Sequence, residues 1–189
     1  LILIDLKKHK KLLVVIAMVM TIGIVLNNTN WLLKILYPIH YEEIIDKYAI
    51  EYNLDPHLIA GIIRTESKFN EKARSSKDAR GLMQIAPITG KWASEKLGME
   101  NYDEAILFTP DVNIKIGCWY LNKLKEEFGG DLQLMLAAYN GGSGNVNKWL
   151  QDTKYSEDGK TLTDIPFAET KAYVKKVIKS YKVYRIVYR

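Results

Sequence analysis

Asp55-Pro56-His57-Leu58-Ile59-Ala60-Gly61-Ile62-Ile63-Arg64-Thr65-Glu66 is the stretch on which the reading of this chain turns. Asp55 is a good N-cap, and Pro56 suits the first helical position, where a missing N–H costs nothing. Leu58, Ile59, Ile62 and Ile63 recur at spacings of three and four, the apolar stripe of a helix packed on a core. Glu66 continues that stripe, four residues after Ile62 and three after Ile63. A carboxylate there is pushed toward its neutral form twice over. Burial disfavours the charge, and the negative end of the helix dipole lies close by. A carboxylic acid that stays protonated near neutrality can donate its proton to a leaving group. The plainer alternative is a surface glutamate at a frayed helix end, paired with Arg64 or Lys68.

Outward from this helix the pattern stays helical. Tyr41, Ile44, Ile45, Tyr48 and Tyr52 predict one amphipathic helix before it. Residues 112–128, closed by Gly129-Gly130, predict a long helix and residues 132–139 a shorter one. A last helix from near Phe167 carries Tyr173, Val174, Val177, Ile178, Tyr181, Tyr184 and Tyr188 on one face. The sole strand candidate is a small hairpin about Asp158-Gly159, a pair suited to a tight turn. The expected fold is therefore mainly α.

The N-terminus reads differently. Residues 12–26 hold no charge and follow Lys7-Lys8-His9-Lys10-Lys11. This length lies between the apolar core of a signal peptide and a helix of about twenty residues that spans a bilayer. No small-x-small cleavage site precedes Asn27, so the expectation is one N-terminal transmembrane helix, with Trp31 near the far interface. A cleaved signal peptide and a buried core helix are the other readings. The lysines would leave that end in the cytoplasm and put everything after Trp31 outside, the topology of a single-pass membrane protein. The expected division is residues 1–36 as flank and anchor and residues 37–189 as the folded body.

The formal charge of +5 over 189 residues is unevenly placed. Residues 1–30 hold four lysines and one acid, or +3, and residues 171–189 hold seven basic residues and no acid, or +7. That leaves −5 for residues 31–170, which argues against a basic nucleic-acid-binding body. The lone Cys118 excludes an intrachain disulfide, and His9, His40 and His57 offer no metal-ligand spacing, so neither metal nor cofactor is expected.

Three further segments carry chemistry. Ser67, Phe69, Asn70 and Ser75 lead to Gly81-Leu82-Met83-Gln84-Ile85. Ala138-Tyr139-Asn140 runs into Gly141-Gly142-Ser143-Gly144. Ile165-Pro166-Phe167 precedes Glu169-Thr170 and Tyr173-Val174. A glycine-rich turn allows close backbone approach, and the Tyr-Asn pair before it offers a ring face and amide groups suited to sugars. These glycines follow a helix rather than a strand, which weakens a nucleotide reading. For Glu169, an acid in a first helical turn is favoured by the dipole alone.

Taken in order with Glu66, these blocks resemble the soluble lytic transglycosylase family, peptidoglycan-cleaving enzymes of goose-type lysozyme-like fold. The resemblance covers residues 41–184. Two departures are visible: Asp78 stands where many members have glycine, and Gly141 where alanine is commoner. The resemblance implies that Glu66 is catalytic, first as acid and then as base, on the β-1,4 bond between N-acetylmuramic acid and N-acetylglucosamine. It also implies that Ser75, Gln84, the backbone at Met83, Tyr139, Asn140, Glu169 and Tyr173 line a glycan cleft. The product would be a 1,6-anhydromuramoyl end, formed without water. One carboxylate suffices when the substrate supplies the nucleophile, whereas most glycosidases need two. A lysozyme-type hydrolase of the same fold and a non-catalytic, membrane-tethered glycan-binding scaffold are the alternatives.

Overall fold

The computed structural model describes residues 9–27, 29–100 and 102–189, and divides into two compact units, Leu1–Pro38 and Ile39–Arg189. In the first, α1 (Lys10–Asn27) and α2 (Thr29–Leu36) are the helices. Among the described residues no helix is long and apolar enough to cross a membrane. The expected transmembrane helix is therefore withdrawn, and with it the tether, the single-pass location and the orientation taken from the lysines. The dimensions explain the correction. α1 begins with Lys10-Lys11 and ends on Asn27. The uncharged stretch between them reaches about 22 Å at helical rise, short of a hydrocarbon core of about 30 Å. Asp5, Lys7 and Lys8 lie outside the described residues.

The second unit is built from α3 (Glu42–Glu51), α4 (Pro56–Glu66), α5 (Pro87–Lys96), a 3-10 helix (Glu104–Phe108), α6 (Pro110–Glu127), α7 (Leu132–Gly141), α8 (Ser143–Leu150) and α9 (Ala168–Val187). α4 starts as its sequence dictates. Asp55 Oδ1 accepts from the His57 amide at 2.9 Å, and Pro56 occupies the first turn. Ile59, Ile62 and Ile63 are fully buried. The main partner of α4 is α9, which contributes Tyr173, Val174, Val177 and Tyr184 to the core. The two helices meet closely at Gly61, where an added Cβ would lie 3.1 Å from the Tyr181 backbone nitrogen. Tyr181 also donates its hydroxyl to Asp55 Oδ2 at 2.7 Å, so the residue that caps α4 clamps it to α9.

The expected β-hairpin is absent: no strand occurs among the described residues, only isolated bridges of Arg80 to Arg74 and to Ile85. Around Asp158-Gly159 the Asp158 carboxylate accepts from the amides of Lys160 and Thr161, at 2.8 and 2.7 Å. A side chain satisfies the backbone groups that a strand partner would have taken. α5 and α8 were not expected from the sequence. In the glycine-rich turn only Gly142 is left-handed, at φ 87°, and helix resumes at Ser143.

Candidate active site

Glu66 closes α4, and its carboxyl is half-buried at the end of the apolar stripe. Burial raises its pKa from 4.5 to about 7, offset only in part by the Tyr173 hydroxyl. Removal from water therefore governs this acid. Two tyrosines, Tyr139 from α7 and Tyr173 from α9, lie within electrostatic reach of it. Burial, followed by the Glu66 charge, holds both phenols well above their ordinary range. Tyr139 donates its hydroxyl to the Met83 carbonyl at 2.9 Å. The Tyr173 hydroxyl is buried and has no hydrogen-bond partner of standard geometry. It is a donor close enough to the Glu66 carboxyl to act on its pKa.

The opposite wall is the segment 68–86, which has no regular structure of its own. Lys68, Phe69, Asp78, Gly81 and Gln84 all adopt positive φ, between 49° and 72°. For the four that are not glycine this is costly backbone, of a kind that persists only where surrounding structure holds it. The hold comes from three directions. Ser67 Oγ donates to the Leu82 carbonyl at 2.8 Å, tying the segment to the residue after Glu66. Gln84 Nε2 donates to the carbonyls of Gly81 and Ala73. Asn113, fully buried on α6, accepts from the Met83 amide at 2.7 Å and donates to the carbonyls of Arg80 and Leu107.

Asn113 escaped the sequence reading, although its signal resembles that of Glu66: a polar residue on the buried stripe of a helix, beside Ile114, Ile116 and Gly117. Gly117 admits the Met83 side chain, whose sulfur would lie 2.3 Å from an added Cβ. Gly81 is confined as tightly, 2.2 Å from the Leu107 carbonyl oxygen by the same construction.

The residues singled out from the sequence fall into two groups. Glu66, Met83, Tyr139 and Tyr173 converge, whereas Gln84 follows Met83 in the chain and spends its amide nitrogen on the carbonyls of Gly81 and Ala73. Met83 is fully buried, its amide held by Asn113 and its carbonyl by Tyr139. Ser75, Asn140 and Glu169 are exposed. The Ser75 hydroxyl accepts from the Lys77 and Ala79 amides and shapes its own turn. Asn140 Oδ1 accepts from the Thr170 hydroxyl at 2.8 Å, joining α7 to α9. Glu169 is exposed and pairs with Lys77 at 3.6 Å, so the loop carrying Ser75 reaches the first turn of α9.

Both departures from the family pattern have local reasons. Asp78 keeps the left-handed backbone, at φ 63°, that glycine adopts freely, and its carboxylate bridges Arg74 and Arg80. At Gly141 an added Cβ would sit 3.1 Å from Thr170 Oγ1 and 3.4 Å from the Trp149 ring.

Comparison with known proteins gives the family. Residues 43–162 match the family model described as the transglycosylase SLT domain. The chain belongs to that family. It is 36% identical over 151 residues to a putative soluble lytic murein transglycosylase of Haemophilus influenzae, covering 77% of this chain and 25% of that one. To the soluble lytic murein transglycosylase of Escherichia coli K12 it is 33% identical, covering 79% and 23%. The chain thus spans about a quarter of the length of these relatives. Among solved structures it resembles an inactive glutamate-to-glutamine mutant of the lytic transglycosylase Slt from Pseudomonas aeruginosa. The TM-score is 0.72 at 34% identity, over 82% of this chain and 26% of that one.

Proposed function

We propose that this SLT domain is a peptidoglycan lytic transglycosylase, cleaving the β-1,4 bond between N-acetylmuramic acid and N-acetylglucosamine. The observation that carries this reading is Glu66, a single half-buried acid with a pKa of about 7 at the meeting of α4, α7 and α9. Family membership and the names of the relatives support it.

In the first step Glu66 gives its proton to the glycosidic oxygen as the bond from that oxygen to C1 breaks, and positive charge develops on the muramoyl ring. The proton makes the departing sugar a neutral alcohol. Glu66 is now a carboxylate in a site that disfavours charge, and the unpartnered Tyr173 hydroxyl is placed to donate to it. In the second step the muramoyl C6 hydroxyl attacks C1, and its proton passes to Glu66. A 1,6-anhydro ring forms, the acid is restored and no water is consumed. Gln84, Tyr139 and Tyr173 would hold the sugar at the acid, with the Met83 backbone beneath them. Ser75, Asn140 and Glu169 would engage the strand at the rim. Residues 37–189 are proposed as the catalytic domain.

Mass spectrometry of peptidoglycan digested by the purified protein tests this directly. The expected products end in 1,6-anhydromuramic acid, and Glu66→Gln yields none. Reducing muramic-acid ends would identify a hydrolase, and undiminished cleavage by Glu66→Gln would remove that residue from the mechanism.

A further inference from the structure

α5 is built in the opposite sense to an ordinary amphipathic helix. The residues it buries are small: Gly90, Ala93 and Ser94. It lies tight against the body, for an added Cβ at Gly90 would be 2.3 Å from the Tyr102 hydroxyl and 3.1 Å from Leu107. Its large apolar side chains face water, Ile88 at 81% exposure and Trp92 at 42%. Four residues apart, they share one face of the helix. Amphipathic helices turn such residues inward, and apolar surface left outside marks a binding face.

That face is continuous with the cleft. The Trp92 ring meets Trp119 at 4.7 Å and 70° and Tyr120 at 6.3 Å and 80°. Both contacts are edge-to-face, and Trp92 still keeps 42% of its surface open to solvent. Tyr120 in turn lies 5.6 Å from Tyr139, which faces Glu66. Aromatic rings thus run from beside the acid to the outer face of α5.

We propose that Trp92, with Ile88 beside it, is a sugar-stacking platform that binds a ring of the glycan strand remote from the scissile bond. The proposal rests on the reading of the Glu66 cleft as glycan-cleaving. A pyranose ring offers an apolar C–H face within a rim of hydroxyls. The open indole suits the face, and exposed Lys91 and Glu95 flank it to meet the rim. Continuity with the cleft selects this occupant: a linear polymer gripped at one bond must leave the site, and the aromatic run marks one exit.

The test compares the full chain with its Trp92→Ala and Trp92→Phe variants on long glycan strands and on a peptidoglycan tetrasaccharide. Trp92→Ala is expected to raise KM on long strands by roughly tenfold, as truncating an aromatic anchor does. It should leave kcat and the tetrasaccharide reaction unchanged, and Trp92→Phe should restore most of the loss. Equal losses on both substrates, or none on either, overturn the platform. In a second arm, long and short chito-oligosaccharides are titrated calorimetrically into Glu66→Gln with and without Trp92→Ala. Weaker binding of the long oligomer alone is expected. If the wild type cleaves neither substrate, the glycan-cleaving reading falls, and this arm decides the platform separately: equal affinities with and without Trp92 overturn it. A dimer in sedimentation that Trp92→Ala abolishes, with oligosaccharide binding unchanged, would assign the patch to a second copy of the chain instead.

Discussion

Two walls meet at Glu66, and different forces hold them. On one side α4 and α9 bury Ile59, Ile62, Ile63, Val174, Val177 and Tyr184 against each other, with Gly61 at the point of closest approach. On the other, segment 68–86 carries left-handed backbone at five positions and is fastened by hydrogen bonds from Ser67, Gln84 and Asn113. The helical wall gives stability and buries the acid. The polar wall gives position, because hydrogen bonds are directional and apolar contacts are not. Damage to the first should cost folding, and damage to the second should cost cleavage out of proportion to folding.

The largest contrast is between Asn113→Ala and Ile62→Ala. Each is expected to lose about 3 kcal/mol in denaturant unfolding. For Asn113→Ala the cause is the Met83 amide and the Leu107 carbonyl left without a partner, while the Arg80 carbonyl keeps the Ile85 amide, and for Ile62→Ala a cavity. Per folded molecule, Ile62→Ala should retain most of its kcat. Asn113→Ala should lose it about a hundredfold, since the Met83 carbonyl that fixes Tyr139 is released. Equal kcat in both variants would dissolve the distinction between the walls.

A smaller effect concerns the acid itself. With a folded pKa of about 7 against 4.5, Glu66 keeps its proton in the folded state after the unfolded chain has released it. Stability linked to this group is present in full below about pH 4.5 and is lost as pH rises through 7. Glu66→Gln removes that penalty. It should unfold at higher denaturant than wild type at pH 8, by about 2 kcal/mol once water at the half-exposed carboxyl screens part of the effect, and show little difference at pH 4.5. A pH-independent difference between the two proteins would refute burial as the cause of the shift.

Asp78→Gly should change least. Glycine relaxes the left-handed backbone at φ 63° but gives up the bridges to Arg74 and Arg80, so the two effects largely cancel. A large loss in thermal unfolding would make the polar wall depend on surface charge rather than on Asn113.

What could be read from the sequence follows the same division. α3, α4, α6, α7 and α9 announce themselves because their apolar stripes are periodic, and Glu66 stands out as a violation of one. α5 gives no such signal, because its buried residues are glycine, alanine and serine while its large ones face outward. α8 is masked by the glycines before it, of which Gly142 alone breaks the helix. Asp158-Gly159 suggests strands, but the Asp158 side chain closes the turn without them. The uncharged run at 12–26 suggests a membrane span, yet with lysines at its head and an asparagine at its end no described helix is long and apolar enough. Asn113 went unnoticed because two of its partners, Arg80 and Met83, lie 33 and 30 residues away in the chain, and only the folded structure brings them to it.

The central claim is that the helical wall desolvates Glu66 enough to keep it an acid at neutral pH. A carbon-13 NMR titration of its side-chain carboxyl, assigned by comparison with Glu66→Gln, measures this directly. A midpoint near 7 is predicted. A midpoint near the ordinary 4.5 would contradict it, because the carboxylate would then have no proton to give at neutral pH.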